Sequence, residues 1–413
     1  MKIEYPPVGV RDVARYMWRG LRPDGWLSLA TVFLFIVANV TDVFVPLLYK
    51  SFFDILSSVT DRSLAAGTLV SIIVFVLALR GTRWASRNLG LLGLQKLEPD
   101  TMARLRQMSF EYLMEHSYSF FTNNFTGSLI QRVNRMARSF ERIADTIVLN
   151  FVPLAITTLG AIIVTWSIQP ILAVVILVWV VVFFALNYIF AIWRVKYNIR
   201  MAAADSKTTG ALADILTNQN STLLFTALPS EVDYFGEITR AQARITKTTW
   251  NINSLFDASQ ALIIFFAEFA IFYFGIGLWE KNAITVGTFV LVQVYIIQLA
   301  GQLWDFGRII RTVYEVFADS KEMVEILMLP HEVKDASGAT ALQVSKADIV
   351  FDHLTFGFEK GRDVLHDINL TIPGGQKVAL VGPSGAGKTT FIRVLLRFYN
   401  VTKGRVLIDG QDI

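Results

Sequence analysis

Six segments of this chain are long and apolar enough to cross a lipid bilayer. A membrane-spanning helix needs about 20 predominantly apolar residues. A soluble protein can bury one helix of this kind in its core, but six of them in one chain exclude that explanation. The segments lie at about 26–48, 66–85, 147–168, 171–193, 261–279 and 284–303. The sequence therefore predicts a mainly α-helical membrane protein with six spans.

The composition fits a very apolar region joined to an ordinary one. Hydrophobic residues make up 53% of the 413 residues and charged residues 17%, against roughly 45–50% and about 25% in soluble proteins. A net charge of only +4 with this apolar content excludes intrinsic disorder, and the lack of cysteine excludes a disulfide-stapled secreted fold. The basic residues are spread over several connections and match no nucleic-acid module, so no nucleic-acid partner is predicted.

Lysine and arginine are unequally distributed between the connections. The turns after the first, third and fifth segments contain few of them, whereas the N-terminus and the connections at 86–146 and 194–258 contain many. The positive-inside rule therefore predicts a multi-pass protein of the cell membrane, plasma or inner, whose N-terminus and C-terminal domain are cytoplasmic. Both long connections are poor in Gly and Pro, so we predict that they are helical extensions of the spans.

Residues 1–25 are predicted to contain an interfacial helix. The apolar residues at helical spacing are Val10, Val13, Met17 and Leu21. Four arginines fall on the other side of the same helix: Arg11, Arg15, Arg19 and Arg22. This pattern is typical of an amphipathic helix in the cytoplasmic membrane interface, with a solvated leader as the alternative. The apolar core that follows is too long for a cleavable signal peptide.

The composition changes after residue 319, where the predicted transmembrane domain, residues 26–319, ends. Residues 320–347 contain Pro330 and Gly338 and are predicted to form a helix end and a linker. The remaining residues, 348–413, combine strand-like and helical patterns. Strands are predicted at 348–358, 368–372, 377–381 and 405–408, and a helix at 391–398.

A phosphate-binding loop follows the third of these strands. The residues that fit G-x-x-x-x-G-K-[ST], with the next threonine, are Gly382, Pro383, Ser384, Gly385, Ala386, Gly387, Lys388, Thr389 and Thr390. Glycines allow backbone N–H groups to wrap phosphates, and the following helix presents its positive end to them. We expect Lys388 to bridge the β- and γ-phosphates and the Thr389 hydroxyl to ligate Mg²⁺. The alternative is a Gly-rich strand–helix turn.

Six spans with long cytoplasmic extensions, a linker and a P-loop domain resemble the ATP-binding cassette (ABC) exporters. A Phe-Phe pair at 120–121, followed by Gly127, is similar to the first coupling region of that family. Residues 351–358 resemble the opening strand of its nucleotide domain, which ends in an aromatic pair, here Phe356 and Phe358. The resemblance implies a six-helix exporter transmembrane domain, followed by the N-terminal part of an α/β P-loop nucleotide-binding domain.

The resemblance also implies an activity and partners. Such a half-transporter pairs with a second half-transporter chain, as a homodimer or a heterodimer, and holds ATP and Mg²⁺ between two nucleotide domains. Closure of these domains swings the membrane bundle from inward- to outward-open, which exports a substrate by alternating access. Lys388 is then the catalytic residue of the P-loop. Phe358 is implied to stack on adenine, since stacking needs only a π-face; a core position in a half-buried strand is the alternative.

Two segments are candidates for coupling the nucleotide domain to the membrane bundle. They are residues 120–127, which match the family's first coupling region, and residues 218–227 in the second long connection. Ordinary helical-hairpin surface is the alternative for each.

Four ionisable residues fall within the spans and are candidates for the translocation cavity. They are Asp42, Arg80, Arg83 and Glu268. The alternative for the arginines is pairing with an acidic neighbour or snorkelling to the interface. A Phe-rich bundle fits a hydrophobic or amphipathic substrate, such as a lipid, a drug or a peptide, with membrane lipid as the surrounding partner.

The resemblance stops where the sequence ends. The nucleotide domain of the family continues with a Gln loop, the signature, an acidic Walker B run with a catalytic Glu, and a switch His, none of which occurs here. We therefore expect a longer protein, an ABC transporter ATPase, of which this part alone does not hydrolyse ATP. Alternatives are a nucleotide-gated channel or regulatory membrane subunit on the same fold, or a non-transporting nucleotide-binding fragment.

Overall fold

In a computed structural model of the chain, residues 5–59, 62–336, 338–358 and 361–413 are described. The first four residues of the predicted N-terminal segment, 1–25, lie outside them. The helices are α1 (Val10–Leu21), α2 (Gly25–Ser58), α3 (Arg62–Met114), α4 (Tyr118–Asn123), α5 (Thr126–Asp145), α6 (Val152–Ile168), α7 (Pro170–Thr217), α8 (Gln219–Leu224), α9 (Leu228–Glu280), α10 (Val286–Trp304), α11 (Phe306–Leu327) and α12 (Lys388–Leu395).

Six helical runs among the described residues are long and apolar enough to cross a membrane, which confirms the predicted six-span architecture. Some runs join neighbouring helices: α1 continues through a 3-10 turn into α2, and α5 continues through a π-helical turn, Thr146–Phe151, into α6. Each run is much longer than a bilayer is thick. Helix α3 alone has 53 residues, about 80 Å of helix, against a hydrocarbon core of about 30 Å. The long connections are therefore helical, as predicted.

The chain divides into two compact units. The first consists of Met1–Trp26, Gln95–Ala144 and Val313–Ile413, and the second of Leu27–Leu94 and Asp145–Thr312. The core of the second unit is formed mainly by α6, α7, α9 and α10, and Tyr295 is fully buried in it. The Tyr295 hydroxyl donates to the carbonyl oxygen of Val43 at 2.7 Å, which satisfies the polar end of this aromatic side chain.

Glycines allow α2 and α3 to pack closely. A Cβ atom on Gly90 would lie 2.8 Å from the ring of Phe35, which is buried, and a Cβ atom on Gly93 would collide with Thr31. Small residues at a helix–helix contact allow the two backbones to approach closely. The two glycines provide that approach.

The apolar side of α1 is buried in the first unit, as the amphipathic pattern predicts. Val13 and Met17 pack in one cluster with Leu105 of α3, and a Cβ atom on Gly20 would lie 2.8 Å from the Leu105 side chain. Val10 differs from the prediction, because at the start of the helix it is exposed. The arginines are exposed on the other side: Arg11, Arg15, Arg19 and Arg22. The location of α1 in a membrane interface stays a prediction.

A four-stranded antiparallel sheet forms in the C-terminal part of the first unit. Its strands are β1 (Ile349–Phe356), β2 (Leu365–Ile372), β3 (Lys403–Ile408) and β4 (Gln411–Asp412), in the order β2-β1-β3-β4. Helix α12 packs on this sheet through Phe391, whose ring centroid lies 4.3 Å from that of Phe351. This contact fixes the helix that follows the P-loop.

One predicted strand, at 377–381, is not formed. In the described part of the chain these residues pair with no strand, and Val381 is 90% exposed. A strand is completed by the N–H and C=O groups of a neighbour, so an apolar run without such a neighbour does not become one. The predicted helix at 391–398 also differs, since it begins earlier, at Lys388, and ends at Leu395.

One carboxylate fastens the linker to the sheet. Asp409, in the turn between β3 and β4, accepts hydrogen bonds from the main-chain N–H groups of Ser345, Lys346, Ala347 and Asp348 at 2.6–3.1 Å. These bonds, above all those from Ser345 and Asp348, hold the pKa of Asp409 well below its usual range, because they favour the charged form. The linker therefore enters β1 in a defined conformation.

We expect Gly90→Val to weaken the packing of α2 on α3. The new side chain has no room beside the Phe35 ring, and overpacking of this kind costs about 1–3 kcal/mol. The matched control is Gly81→Val on the same helix, where a Cβ atom would meet no other atom within 4 Å. Thermal unfolding of the purified protein measures both, and equal midpoints for the two variants would contradict the packing argument.

Candidate nucleotide-binding site

The predicted P-loop forms an exposed turn that leads into α12. Residues 382–386 are exposed, and Gly387 caps the helix in the left-handed region at φ 80°. A Cβ atom on Gly387 would lie 3.1 Å from the Leu365 side chain at the start of β2. Glycine is favoured here for two reasons, the positive φ and the close approach of the β-hairpin.

Lys388, the first residue of α12, folds back over the loop. Its ammonium group donates hydrogen bonds to the carbonyl oxygens of Gly382 and Pro383, both at 2.8 Å. The first turn of a helix leaves its N–H groups without helical partners, so the ammonium and these N–H groups together make a cationic, donor-rich end. This arrangement suits a phosphate.

The two threonines of the motif have different surroundings. Thr389 is exposed, so its hydroxyl is accessible to a metal ion, whereas the side chain of Thr390 is buried. Thr390 therefore offers its main-chain N–H rather than its hydroxyl. The loop, the lysine and the exposed threonine fit the phosphates of ATP and a Mg²⁺ ion, and the individual roles stay predictions.

Phe358 lies between β1 and β2 with its side chain 43% exposed. Its ring meets the rings of Phe356 and Tyr399 edge-on, with centroids 5.1 and 5.3 Å apart. These contacts support the ring, and its partial exposure leaves surface available for stacking. This exposure favours adenine stacking over the alternative of a core residue. Tyr399 was not singled out by the sequence, since an aromatic residue after a helix has no distinctive pattern.

The far end of α12 contacts helix α4, which begins two residues before the predicted first coupling segment, 120–127, and contains its first four residues. Tyr118 stacks on Phe398, with centroids 4.8 Å apart and planes 17° from parallel. The guanidinium carbon of Arg393 lies 5.1 Å from the centroid of the same Tyr118 ring. Ser117 caps α4 by accepting the Phe120 N–H at 3.3 Å. One short helix therefore carries the P-loop at its start and the contact with α4 at its end.

The linker after α11 bonds to both of these regions. The Ser117 hydroxyl donates to the Glu332 carboxylate at 2.5 Å, and the Asn400 side chain donates to the Glu332 carbonyl oxygen at 3.0 Å. Arg397 pairs with Asp335 at 3.0 Å. Sequence reasoning missed these residues, because each contact joins positions that are far apart in the chain.

His116 lies beside α4 as a neutral ring. It is buried and stacks on Phe120, with centroids 4.1 Å apart. Burial, helped by the nearby His331, lowers the pKa of His116 to about 4. At neutral pH the ring therefore contributes aromatic packing rather than charge.

The second predicted coupling segment, 218–227, contains the short helix α8 and exposes apolar side chains. Leu223 and Leu224 are exposed, and Phe225 is 82% exposed. The sequence placed a coupling surface here, and its role stays a prediction.

The ionisable residues within the spans form two polar groups in the second unit, one around Asp42 and one around Glu268. Arg80 and Arg83 both pair with Asp42, at 3.1 and 3.3 Å, so the predicted alternative of pairing with an acidic neighbour is realised for the arginines. Glu268 of α9 accepts a hydrogen bond from the Gln293 side chain of α10 at 2.7 Å.

Comparison with known proteins shows the family. The family described as ABC transporter transmembrane region matches residues 28–303, and the family described as ABC transporter matches residues 365–413. The first match covers more than half of the chain and overlaps all six candidate spans. The chain belongs to the ABC transporter family, as a fused transmembrane domain and partial nucleotide-binding domain.

Relatives and a solved structure agree with this assignment. The chain is 28% identical to an ATM1-type heavy metal exporter of Novosphingobium aromaticivorans over 93% of this chain and 64% of that protein. It is 30% identical to ATP-binding cassette sub-family B member 6 of Xenopus tropicalis over 97% of this chain and 48% of that protein. A bacterial Atm1-family ABC exporter with ATP bound matches with a TM-score of 0.73 at 26% identity, over 94% of this chain and 69% of that one. The chain thus spans about half to two thirds of the length of these relatives.

We expect Phe358→Ala to weaken ATP binding by the full-length protein roughly tenfold, because base stacking on an aromatic ring contributes about 1–3 kcal/mol. Phe358→Tyr keeps the ring and should bind as the unchanged protein does. The control is Phe269→Ala, which removes an exposed ring from α9. A titration with a fluorescent ATP analogue measures all three, and unchanged affinity in Phe358→Ala would refute the adenine contact.

Proposed function

We propose that the full-length protein containing this chain is an ATP-driven exporter that works by alternating access. One observation carries the proposal: α12 begins at the P-loop lysine and ends at the contact with α4. The helix has 8 residues, about 12 Å, and Phe391 and Val394 pack it on the sheet. A short helix held in this way moves as a unit, so a displacement at the loop reaches Tyr118.

ATP with Mg²⁺ supplies the free energy for the conformational change when bound. Main-chain N–H groups of the P-loop hold the phosphates, and the Lys388 ammonium exchanges the carbonyl oxygens of Gly382 and Pro383 for phosphate oxygens. The Thr389 hydroxyl holds the metal ion, and Phe358 orients the adenine. The contact between α12 and α4 then transmits the movement to α3 and α5, which continue into the spans.

The proposed architecture has a membrane part and a nucleotide part. Residues 26–319 form the transmembrane domain, preceded by the interfacial segment 1–25, and residues 320–347 link it to the nucleotide-binding domain that begins at 348. The excess of Lys and Arg in the long connections supports a cytoplasmic location for the N-terminus and the nucleotide domain. We propose a plasma or inner membrane location. One relative, an iron-sulfur clusters transporter of Gibberella zeae that is 28% identical, is named as mitochondrial.

The proposed partner is a second half-transporter chain, in a homodimer or a heterodimer. The exposed Leu224 and Phe225 of the second coupling segment support this partner, because large apolar side chains grouped at one helix end favour burial against another surface.

Polar side chains of the second unit support an amphipathic substrate. Gln260 and Asn187 are buried and hydrogen-bonded at 2.8 Å. The Arg194 guanidinium carbon lies 4.6 Å from the Phe256 ring centroid, and Arg194 interacts electrostatically with Arg311 and with the oppositely charged Asp257. With relatives named as heavy metal and iron-sulfur cluster transporters, the proposed amphipathic substrates include metal complexes.

Accumulation against a gradient distinguishes export from a gated channel. In inside-out proteoliposomes, the full-length protein with its partner chain should accumulate one of three probes on addition of ATP: a cadmium–cysteine complex, a fluorescent anionic phospholipid or a hydrophobic dye. Lys388→Ala in both chains should abolish accumulation, because the phosphates lose the ammonium group. The control is Lys207→Ala, which removes an exposed lysine from α7.

Two outcomes would contradict this proposal. Probes that equilibrate with ATP but never accumulate would favour a nucleotide-gated channel or a regulatory subunit. Accumulation that survives Lys388→Ala would mean that this P-loop does not drive transport.

We expect Tyr118→Ala to uncouple the nucleotide domain from the bundle. The change removes the stack on Phe398 and the contact with Arg393, which together contribute about 1–2 kcal/mol. ATP affinity should stay the same, while transport per ATP hydrolysed falls roughly tenfold. Tyr118→Phe keeps both ring contacts and serves as the control. Transport and hydrolysis are measured in the same proteoliposomes, and a parallel loss of both would indicate misfolding rather than uncoupling.

A further inference from the structure

One carboxylate on α2 is shared by two arginines on α3. The Arg80 guanidinium lies 3.1 Å from one oxygen of Asp42 and the Arg83 guanidinium 3.3 Å from the other. The Asp42 side chain is 18% exposed, whereas those of Arg80 and Arg83 are 41% and 33% exposed. The carboxylate is thus enclosed, and the two cations face outward from it.

The charges of this group do not balance. Two guanidinium groups, always protonated in proteins, against one carboxylate leave a net charge of +1. In the described part of the chain, no second carboxylate forms an ion pair with either arginine. An uncompensated charge within a membrane span is costly and marks a functional site by default. The group therefore calls for an anion.

Apolar side chains surround the outward side of Arg80. Ile73, Leu77, Arg80 and Trp84 repeat at the spacing of one helix face, and Leu77 and Trp84 are 69% and 70% exposed. Phe44 of α2 is exposed as well. Large exposed apolar residues on a spanning helix face lipid, and Trp is enriched at the depth of the headgroups. An anion that binds at this face is therefore expected to be the headgroup of a lipid.

The position along α3 agrees with a headgroup. Arg80 follows Arg62, the first residue of α3, by about 27 Å of helix, and the hydrocarbon core is about 30 Å thick. A long arginine side chain at this depth reaches the interface by snorkelling.

We propose that Arg80 and Arg83 bind the phosphate of an anionic phospholipid, with Asp42 as the residue that positions them. Each guanidinium has five N–H donors in a planar fork that matches phosphate oxygens. The carboxylate takes one nitrogen of each arginine, which leaves donors on both for the lipid. The net charge of +1 is neutralised by a lipid of net charge −1. This site is independent of ATP binding and of the proposed transport.

Lipid retention by the full-length protein tests the site. The protein is purified from nanodiscs containing phosphatidylcholine with increasing phosphatidylglycerol, and bound lipids are counted by native mass spectrometry. The unchanged protein should retain phosphatidylglycerol in preference to phosphatidylcholine. Arg80→Gln and Arg83→Gln should each weaken this retention roughly tenfold, the effect of one charge-assisted hydrogen-bonding group.

Matched variants separate the site from general attraction by positive charge. Arg87 is exposed on α3, about one helical turn after Arg83 and two after Arg80. Arg87→Gln removes the same charge and should retain the lipid. Asp42→Asn raises the charge of the group but removes the carboxylate that positions both arginines, so it should weaken the retention of the lipid. Arg80→Lys keeps the charge but loses the fork and should bind with intermediate affinity. Thermal unfolding of each variant confirms that it is folded.

Three results would overturn the proposal. The first is that the unchanged protein shows no preference between the two lipids, a result that needs no variant. Equal losses in Arg80→Gln and Arg87→Gln would indicate unspecific attraction. Displacement of the lipid by soluble glycerophosphate at low millimolar concentration would mean that the site takes its anion from solution rather than from the bilayer.

Discussion

The bilayer imposes one requirement on this chain: every backbone N–H and C=O group inside the hydrocarbon must be hydrogen-bonded within the protein. A helix meets this requirement by itself, and the rest of the architecture depends on it. In this chain the spanning helices continue beyond the length that the bilayer requires. Helix α3 accordingly continues for 53 residues, and its end leads directly to α4, the segment that meets the nucleotide region.

Helix α12 connects the P-loop to the contact with α4. Gly387 and Lys388 lie at its start, where helix N–H groups are free to bind phosphate. Arg393 lies near its end and Phe398 just beyond, and both contact the Tyr118 ring. Because Phe391 packs the middle of the helix against the sheet, the two ends are mechanically linked. The predicted phosphate ligand Lys388 and the contact of Arg393 with Tyr118 thus lie on one helix of 8 residues.

Charge within the spans is handled in two ways. Glu268 has a neutral partner, the Gln293 side chain, whereas Asp42 has two cationic partners on one neighbouring helix. The first contact joins two helices through one hydrogen bond, and the second leaves an excess positive charge at an apolar surface. Only the second creates a demand for an external anion, which is why the proposed lipid site lies there.

Features that depend on neighbouring residues were determined by the sequence alone. Six apolar segments, the amphipathic Val10–Leu21, strand β1 and the P-loop all follow from spacing over 8 to 20 residues, because helix and strand periods and the phosphate loop are local. The strand expected at 377–381 failed because a strand needs a partner elsewhere in the chain. The stack of Tyr118 on Phe398 and the hydrogen bonds from linker N–H groups to Asp409 were not predicted, and ion pairing of Arg80 and Arg83 was expected from the sequence only as an alternative, without Asp42 being named as the partner. Each joins residues that are distant in sequence, so only the tertiary structure, which brings them within hydrogen-bonding or van der Waals distance, decided them.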